Sequence, residues 1–304
     1  MENISIKFKN LFPENWKDYS LIDSGNGRKL ERFGDFIFDR PETQAMWYPR
    51  LDKSSWENAD GVFNPANQKG GNLGKWELSD KIPKEWVLNY RNLKFTALPT
   101  PFRHLGFFPE QSPHWDWTEI QIKKFIDKYK RAPKLLNLFG YSGLATFHAS
   151  ASGAYVTHVD ASKKAIELAT QNKELSQLQN SKLRLIIDDA NAFVEREYRR
   201  KKKYDGFILD PPKYGRGPKG QKWEINKSLP LLLQNCRKIF SETAFMFILN
   251  VYAFRISSVS ITTTLIENLS LQNGNIDFGE LGLMEDGPRA RKIGQSLYSR
   301  WYLK

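Results

Sequence analysis

The chain has 304 residues, 46 Lys and Arg against 34 Asp and Glu, and 40% apolar side chains, a length and composition that support two domains, each with its own core. No apolar run approaches the roughly 18 residues that a membrane span needs, and Met1-Glu2-Asn3-Ile4-Ser5 is not a basic stretch followed by an apolar one, so no membrane association is expected and the cytoplasm is the expected compartment. A single cysteine, Cys236, excludes an intrachain disulfide, and His104, His114, His148 and His158 are too scattered for a metal site, so no metal is expected.

Residues 1 to about 98 read as short strands broken by turns. Gly25 and Gly27 mark one turn and Gly34-Asp35 the next, with apolar residues between them. Trp47, Trp56, Trp76 and Trp86 recur at intervals that no helix produces. The pattern predicts a small β-rich domain over 1–98, with the tryptophans in its core; base stacking by one or two of them is the alternative, and the domain is a candidate RNA-binding accessory. Residues 99–118 read as a connecting segment. It should pack rather than flex, because Phe102, Phe107, Phe108, Trp115 and Trp117 would be costly to leave in water. Thr118 is the expected N-cap of a helix over 119–130.

Strands and helices then alternate: strand 134–139, helix 143–151, strand 154–159, helix 162–175, strand 182–187, helix 190–201 and strand 204–209. Helix 225–240, strand 243–249, helix 256–272 and strands 275–283 and 296–303 complete the series. This predicts an α/β fold over 99–304, a doubly wound Rossmann-like sheet. The last two strands are joined by the turn-rich Glu285-Asp286-Gly287-Pro288-Arg289 rather than by a helix, so the last strand should be antiparallel. The charge is uneven along the chain. Residues 1–98 carry 15 Lys and Arg against 14 Asp and Glu, and residues 99–304 carry 31 against 20, so the basic surface lies in the α/β half, which suits nucleic-acid binding, a merely soluble basic protein being the alternative.

Three strand ends point to chemistry. Lys134 to Leu138 runs into the turn Phe139-Gly140-Tyr141-Ser142-Gly143, and Asp160 follows twenty residues after Gly140. That spacing suits a nucleoside cofactor whose ribose hydroxyls donate to Asp160; the turn lacks the third glycine that a dinucleotide pyrophosphate needs. Ser162 is available to cap the next helix, which leaves Asp160 to the ribose. At Asp188-Asp189-Ala190-Asn191 one carboxylate is expected to accept from an adenine amino group and the other to cap a helix; Asp189 is assigned to the adenine, with Asn191 competing as the cap. Asp210-Pro211-Pro212-Lys213-Tyr214 fixes a carboxylate in one geometry, with a cation and a flat ring just beyond. Together these ends predict methyl transfer from S-adenosylmethionine to a planar acceptor. Gly215 to Trp223 reads as a mobile basic lid over substrate phosphates or as a solvated loop, and Arg199 to Lys203 as a solvated helix end, with an RNA contact as the alternative.

Asn137 to Gly143, Val159-Asp160, Asp189-Ala190 and Asp210 to Tyr214 resemble the class I S-adenosylmethionine-dependent methyltransferases, and more narrowly the group acting on large-subunit ribosomal RNA. The resemblance spans about residues 99–304. It implies cofactor contacts from Gln111 in the segment Phe108-Pro109-Glu110-Gln111, from Asn137, Phe139, Gly140, Tyr141, Ser142 and Gly143, and from Asp160, Ala161, Asp189, Ala190 and Asp210. It implies methyl transfer at Asp210, Pro211, Pro212, Lys213 and Tyr214. Members that methylate carbon 5 of cytosine use a cysteine, and neither Asp210 to Tyr214 nor Ile248 to Tyr252 contains one. The expected activity is therefore methylation of an RNA base nitrogen. Two rivals stand: the same cofactor with a protein or small-molecule acceptor, and a non-catalytic RNA-binding protein of this fold.

Overall fold

A computed structural model of the chain describes residues 4–66, 73–252 and 256–303; Met1-Glu2-Asn3, part of the stretch read for a leader, lies outside them. The chain divides into two compact units. One, of α/β type, comprises Met1–Leu11, Pro113–Leu281 and Gln295–Lys304; the other, β-rich, comprises Phe12–Ser112 and Gly282–Gly294. The partition is interleaved. The first residues belong with the α/β unit, and the segment read as a connector, 99–118, is divided at Ser112.

In chain order the elements are β1 (Ser5–Phe8), β2 (Tyr19–Gly25), β3 (Arg28–Phe33), β4 (Phe36–Pro41), α1 (Lys53–Glu57), β5 (Gly61–Pro65), β6 (Gly74–Leu78), β7 (Trp86–Tyr90) and β8 (Leu93–Ala97). A 3-10 turn at Pro109–Gln111 leads to α2 (Ser112–Tyr129), β9 (Lys134–Leu138), α3 (Leu144–Ala151), β10 (Tyr155–Asp160), α4 (Lys163–Leu175), β11 (Leu183–Ile187), α5 (Ala190–Arg199) and β12 (Gly206–Leu209). The rest is β13 (Tyr214–Arg216), β14 (Lys222–Glu224), α6 (Ile225–Lys238), β15 (Met246–Tyr252), α7 (Ser258–Leu269), β16 (Asn275–Met284) and β17 (Lys292–Tyr302). Thr118 therefore lies inside α2 rather than capping it: the helix starts at Ser112-Pro113, where proline suits a first turn because its missing N–H would have no partner.

The α/β unit is built on an eight-stranded sheet in the order β1-β16-β17-β15-β12-β9-β10-β11. β9, β10, β11, β12 and β15 are mutually parallel, and β17 runs antiparallel to β15, as the turn before it requires. The apolar alternation of each strand feeds two cores. Leu136 and Leu138 of β9 join Phe207, Leu209, Phe247 and Leu249 in one cluster, while Leu135 joins Ile208, Met246 and Ile248 in another. β1 pairs parallel with β16, Ser5 opposite Asn275, at one edge of this sheet, whereas the sequence reading assigned it to the β-rich domain. Of the described residues, no helix is long and apolar enough to cross a membrane.

The β-rich unit holds a five-stranded sheet, β2-β3-β4-β5-β6, and the hairpin β7-β8. Its core joins Phe33, Phe38, Phe63 and Phe95, all fully buried, with Leu21, Leu30 and Leu88. Trp47, Trp56, Trp76 and Trp86 sit half-buried at the rim of this core. Each indole N–H is satisfied within the unit, by Ser24 O, Asp23 Oδ2, Thr100 O and Phe33 O respectively. Each of these indoles lies where its N–H reaches an acceptor, as does the buried Trp16, which donates to Asn89 O at 2.8 Å.

Candidate active site at the carboxyl ends of the sheet

Register brings the strand ends of the α/β unit level. Leu138 faces both Val159 and Leu209, Asp160 faces Ile187, and Leu209 faces Leu249. Beyond β9 the chain winds outward through β10 and β11, and beyond β12 through β15, so the winding direction reverses between β9 and β12. Ligands of open α/β sheets bind in the crevice at such a reversal, outside the carboxyl ends.

The turn after β9 is held open by unusual backbone geometry. Phe139 and Tyr141 adopt φ of +59° and +48°, sparsely populated values for bulky residues, and Gly143 adopts +88° as it starts α3. A Cβ on Gly140 would lie 2.3 Å from the His158 ring, and one on Gly143 2.5 Å from Phe147, so both positions require glycine. Beneath the turn Asn137 is buried, and its Nδ2 donates to Thr146 Oγ1 at 2.8 Å; Thr146 in turn meets His158 Nδ1 at 2.9 Å. Asn137, expected to touch the cofactor, thus spends its side-chain amide supporting the turn. Ser142 is also buried, with its carbonyl accepting from Asn172 Nδ2 at 3.0 Å.

Asp160 stands at the tip of β10. Its Oδ2 accepts from Tyr141 N–H at 2.9 Å and its Oδ1 from Ser162 N–H at 2.8 Å, so the carboxylate ties the turn to the start of α4. Ser162 caps that helix, accepting from Ala165 N–H at 3.3 Å. Burial holds the Asp160 carboxyl above the usual aspartate range against those backbone donors, and the same burial, with Asp160 beside it, pushes Tyr141 up to about 12. Each carboxylate oxygen keeps acceptor capacity for a hydroxyl. Ala161 is half-buried just beyond.

After β11 the assignment of caps changes. Asp189 is the N-cap of α5, its Oδ1 accepting from Ala192 N–H at 3.0 Å, while Asn191 lies inside the helix. Asp188 accepts from Asp189 N–H and is paired with Arg196. The capping role expected of Asp188 or Asn191 therefore falls to Asp189, the residue assigned to adenine. Ala190 is buried as the first residue of the helix.

At the end of β12, Asp210 Oδ1 accepts from Asn250 Nδ2 at 2.9 Å, and Asn250 Oδ1 accepts from Ser296 Oγ at 2.8 Å. Pro211 is buried, and the Pro212 carbonyl accepts from Trp223 Nε1 at 2.6 Å. Lys213 is exposed, its Nζ 5.3 Å from the centre of the Tyr214 ring, and Tyr214 is 66% exposed. The stretch read as a mobile lid is a two-stranded antiparallel ribbon, β13 against β14. The ribbon is rooted by Trp223, buried against the Phe139 ring at 4.8 Å, and it presents Arg216, Lys219 and Lys222 to solvent. Gln111 belongs to the β-rich unit, in the 3-10 turn Pro109–Gln111.

Residues 118–250 match the family model described as Conserved hypothetical protein 95. A solved S-adenosylmethionine-dependent methyltransferase from Agrobacterium tumefaciens shares 39% of its residues with the chain at a TM-score of 0.93, covering 100% of this chain and 96% of that one. The chain belongs to the S-adenosylmethionine-dependent methyltransferases. Ribosomal RNA large subunit methyltransferase I of Aeromonas salmonicida is 39% identical over 94 residues, 30% of this methyltransferase and 24% of that protein. Ribosomal RNA large subunit methyltransferase K/L of Hahella chejuensis is 24% identical over 200 residues, 65% of this chain and 26% of that one. The chain spans less than two fifths of the length of the curated relatives it matches.

Two features of the methyltransferase site escaped the sequence reading. Asn250 and Ser296, which hold Asp210, lie in strands read only for their apolar pattern, although Asn250 interrupts the run Met246 to Val251 and that interruption was the available signal. Asn172, which anchors Ser142, is a buried polar residue on α4. Cys236 is fully buried in the larger core cluster, and burial drives its thiol well above the usual range, away from the thiolate form. Among the described residues no group of three or more His, Cys, Asp or Glu is placed to hold a metal ion.

Proposed function

We propose that this methyltransferase carries the methyl group of S-adenosylmethionine to a base nitrogen of RNA, large-subunit ribosomal RNA being the substrate class. The observation that carries the reading is the Asp210 carboxylate, fixed by the proline turn and by Asn250, at the same strand ends as the glycine turn and Asp160. The site's residues fit the cofactor: a turn in which glycine is required at Gly140 and Gly143, and a buried carboxylate with acceptor capacity left.

S-adenosylmethionine, when bound, supplies an electrophilic methyl. Asp160 would accept from the ribose hydroxyls, and Asp189 with Ala190 would meet the adenine. Asp210, an acceptor-only group when ionised, orients an acceptor that bears N–H, with Tyr214 as its stacking face. Lys213, Arg216, Lys219 and Lys222 meet phosphates, the contacts that fix register on a nucleic acid. The buried thiol of Cys236 offers no covalent route to a ring carbon. The names of the ribosomal RNA methyltransferases it resembles support the same substrate class.

The test is single-turnover transfer at saturating cofactor and RNA. Asp210→Ala and Tyr214→Ala should slow transfer far more than they loosen S-adenosylmethionine, and Tyr214→Phe should be milder because the ring face survives. Near-normal rates in both alanine variants would mean that the acceptor is held elsewhere and that the proline turn is only structural.

A further inference from the structure

In the β-rich unit, the segment from Gln44 to Leu51 combines a fixed backbone with side chains in solvent. Gly27 N–H donates to Ala45 O at 2.9 Å, Asn26 N–H to Trp47 O at 2.7 Å, and Arg291 Nη1 to Tyr48 O at 2.8 Å. The N–H groups of Arg50 and Leu51 both donate to the Asp23 carboxylate, at 3.0 and 2.9 Å. Asp23 and Glu285 are buried, and Arg291 pairs with both. Gly25, at φ +153°, lets the segment approach: a Cβ there would lie 2.4 Å from the Pro49 nitrogen.

Side chains alternate about this frame. Ala45 is fully buried and Trp47 turns inward to Ser24, whereas Met46 is 89% exposed and Tyr48 84%. Arg50 is exposed beside them, its Nη1 donating to Arg289 O at 2.6 Å, and the Arg289 residue is exposed as well. Arg50 Nη1 also lies 3.6 Å from the buried Glu285 Oε2, a carboxylate it shares with Arg291, while Asp52 is turned to the start of α1, where it accepts from Ser55 N–H.

A single exposed apolar residue needs no explanation. Here an aromatic ring and a thioether are held outward on a segment whose backbone is bonded on both sides, so a ligand meeting them orders little chain, and the exposed Arg50 and Arg289, joined through the Arg289 carbonyl, add positive charge to the same surface. Flat rings that accept successive bases, flanked by arginines for the phosphates, are how single strands are bound. We propose that Met46, Tyr48, Arg50 and Arg289 form a docking surface for a single-stranded part of the RNA substrate, with a base stacked on Tyr48. This rests on RNA being the substrate class.

The experiment measures fluorescence anisotropy of the full chain with a labelled poly(U) oligonucleotide and with deproteinised large-subunit ribosomal RNA, beside calorimetry with S-adenosylmethionine. Tyr48→Ala should weaken RNA binding about tenfold or more and Tyr48→Phe by no more than about twofold. Arg289→Ala should lower the slope of log affinity against log salt by about one. Cofactor affinity and thermal midpoint should not change in any of them, since these side chains project into solvent. Wild-type binding to RNA with Tyr48→Ala indistinguishable from it would overturn the surface while leaving the RNA substrate standing. Wild type binding neither RNA would remove the substrate class and the surface together. Self-association or capture of another protein that depends on Tyr48, at unchanged RNA affinity, would assign the face to a protein and equally overturn it.

Discussion

Asn250 Nδ2 donates to Asp210 Oδ1 over 2.9 Å while Ser296 Oγ donates to the other end of the amide, and a flipped amide would turn its oxygen on the Asp210 carboxylate, an acceptor-only group, and lose that bond. The orientation of Asp210 is therefore set from β15 and β17, and Asn250 acts as a positioning residue for the transfer site. Asn250→Ala should lower the single-turnover rate by about ten- to a hundredfold, because a carboxylate free to rotate no longer presents one geometry. S-adenosylmethionine affinity, read by calorimetry, should stay within a few-fold. An equal loss in both quantities would show a general collapse of the strand ends instead.

The carboxylate of Asp160 predicts a binding defect rather than a rate defect. Asp160→Ala should weaken S-adenosylmethionine by about 1.5 to 3 kcal/mol, the loss expected when hydrogen bonds to an ionised acceptor disappear. Calorimetry showing unchanged affinity would remove Asp160 from the cofactor site.

Cys236 is packed among the apolar side chains of the larger cluster. Cys236→Ala should leave turnover within a few-fold of wild type and cost about 1 kcal/mol of stability for the small void, measured by denaturant unfolding. A trapped protein–RNA adduct, or loss of activity in this variant, would restore covalent chemistry at a ring carbon.

His158, fully buried beneath Gly140, has its imidazole lowered to about 4 by burial. A histidine depressed in the folded state stabilises it above the unfolded value of about 6.5, and that stability drains as pH falls toward the folded value. Between about pH 7 and about pH 5 the loss from this one group is about 2 kcal/mol. In His158→Gln the unfolding free energy should fall less over that interval by about this amount. An unchanged pH slope would mean that His158 does not resist protonation.

The order of strands and helices was legible because strands such as β12 and β15 are apolar runs bounded by turn residues, and Ser162 with Asp160 could be sorted by which residue suits a cap. Pairings between distant segments were not. Ser5 to Phe8 carries no local sign that it will lie against Asn275 to Phe278, since its partner is set by which edge of the sheet is left open. Asp188 and Asp189 are both good caps, and only the backbone path decides that Asp189 reaches Ala192 N–H. Trp47, Trp56, Trp76 and Trp86 were read as core from their area alone, whereas they sit half-buried with each indole N–H on an acceptor. Tyr48, an aromatic left in solvent, carries no signal in its neighbours, because its exposure depends on hydrogen bonds from Asn26 and Arg291.

The most direct test of the central claim is to incubate the purified protein with S-adenosylmethionine carrying an isotopically labelled methyl group and deproteinised large-subunit ribosomal RNA. The RNA is then digested and its nucleosides resolved by mass spectrometry. Transfer to the ring or exocyclic nitrogen of a base, abolished or nearly so in Asp210→Ala, is the result expected. Label on a base carbon or a ribose hydroxyl, or transfer to protein with none to RNA, would contradict it.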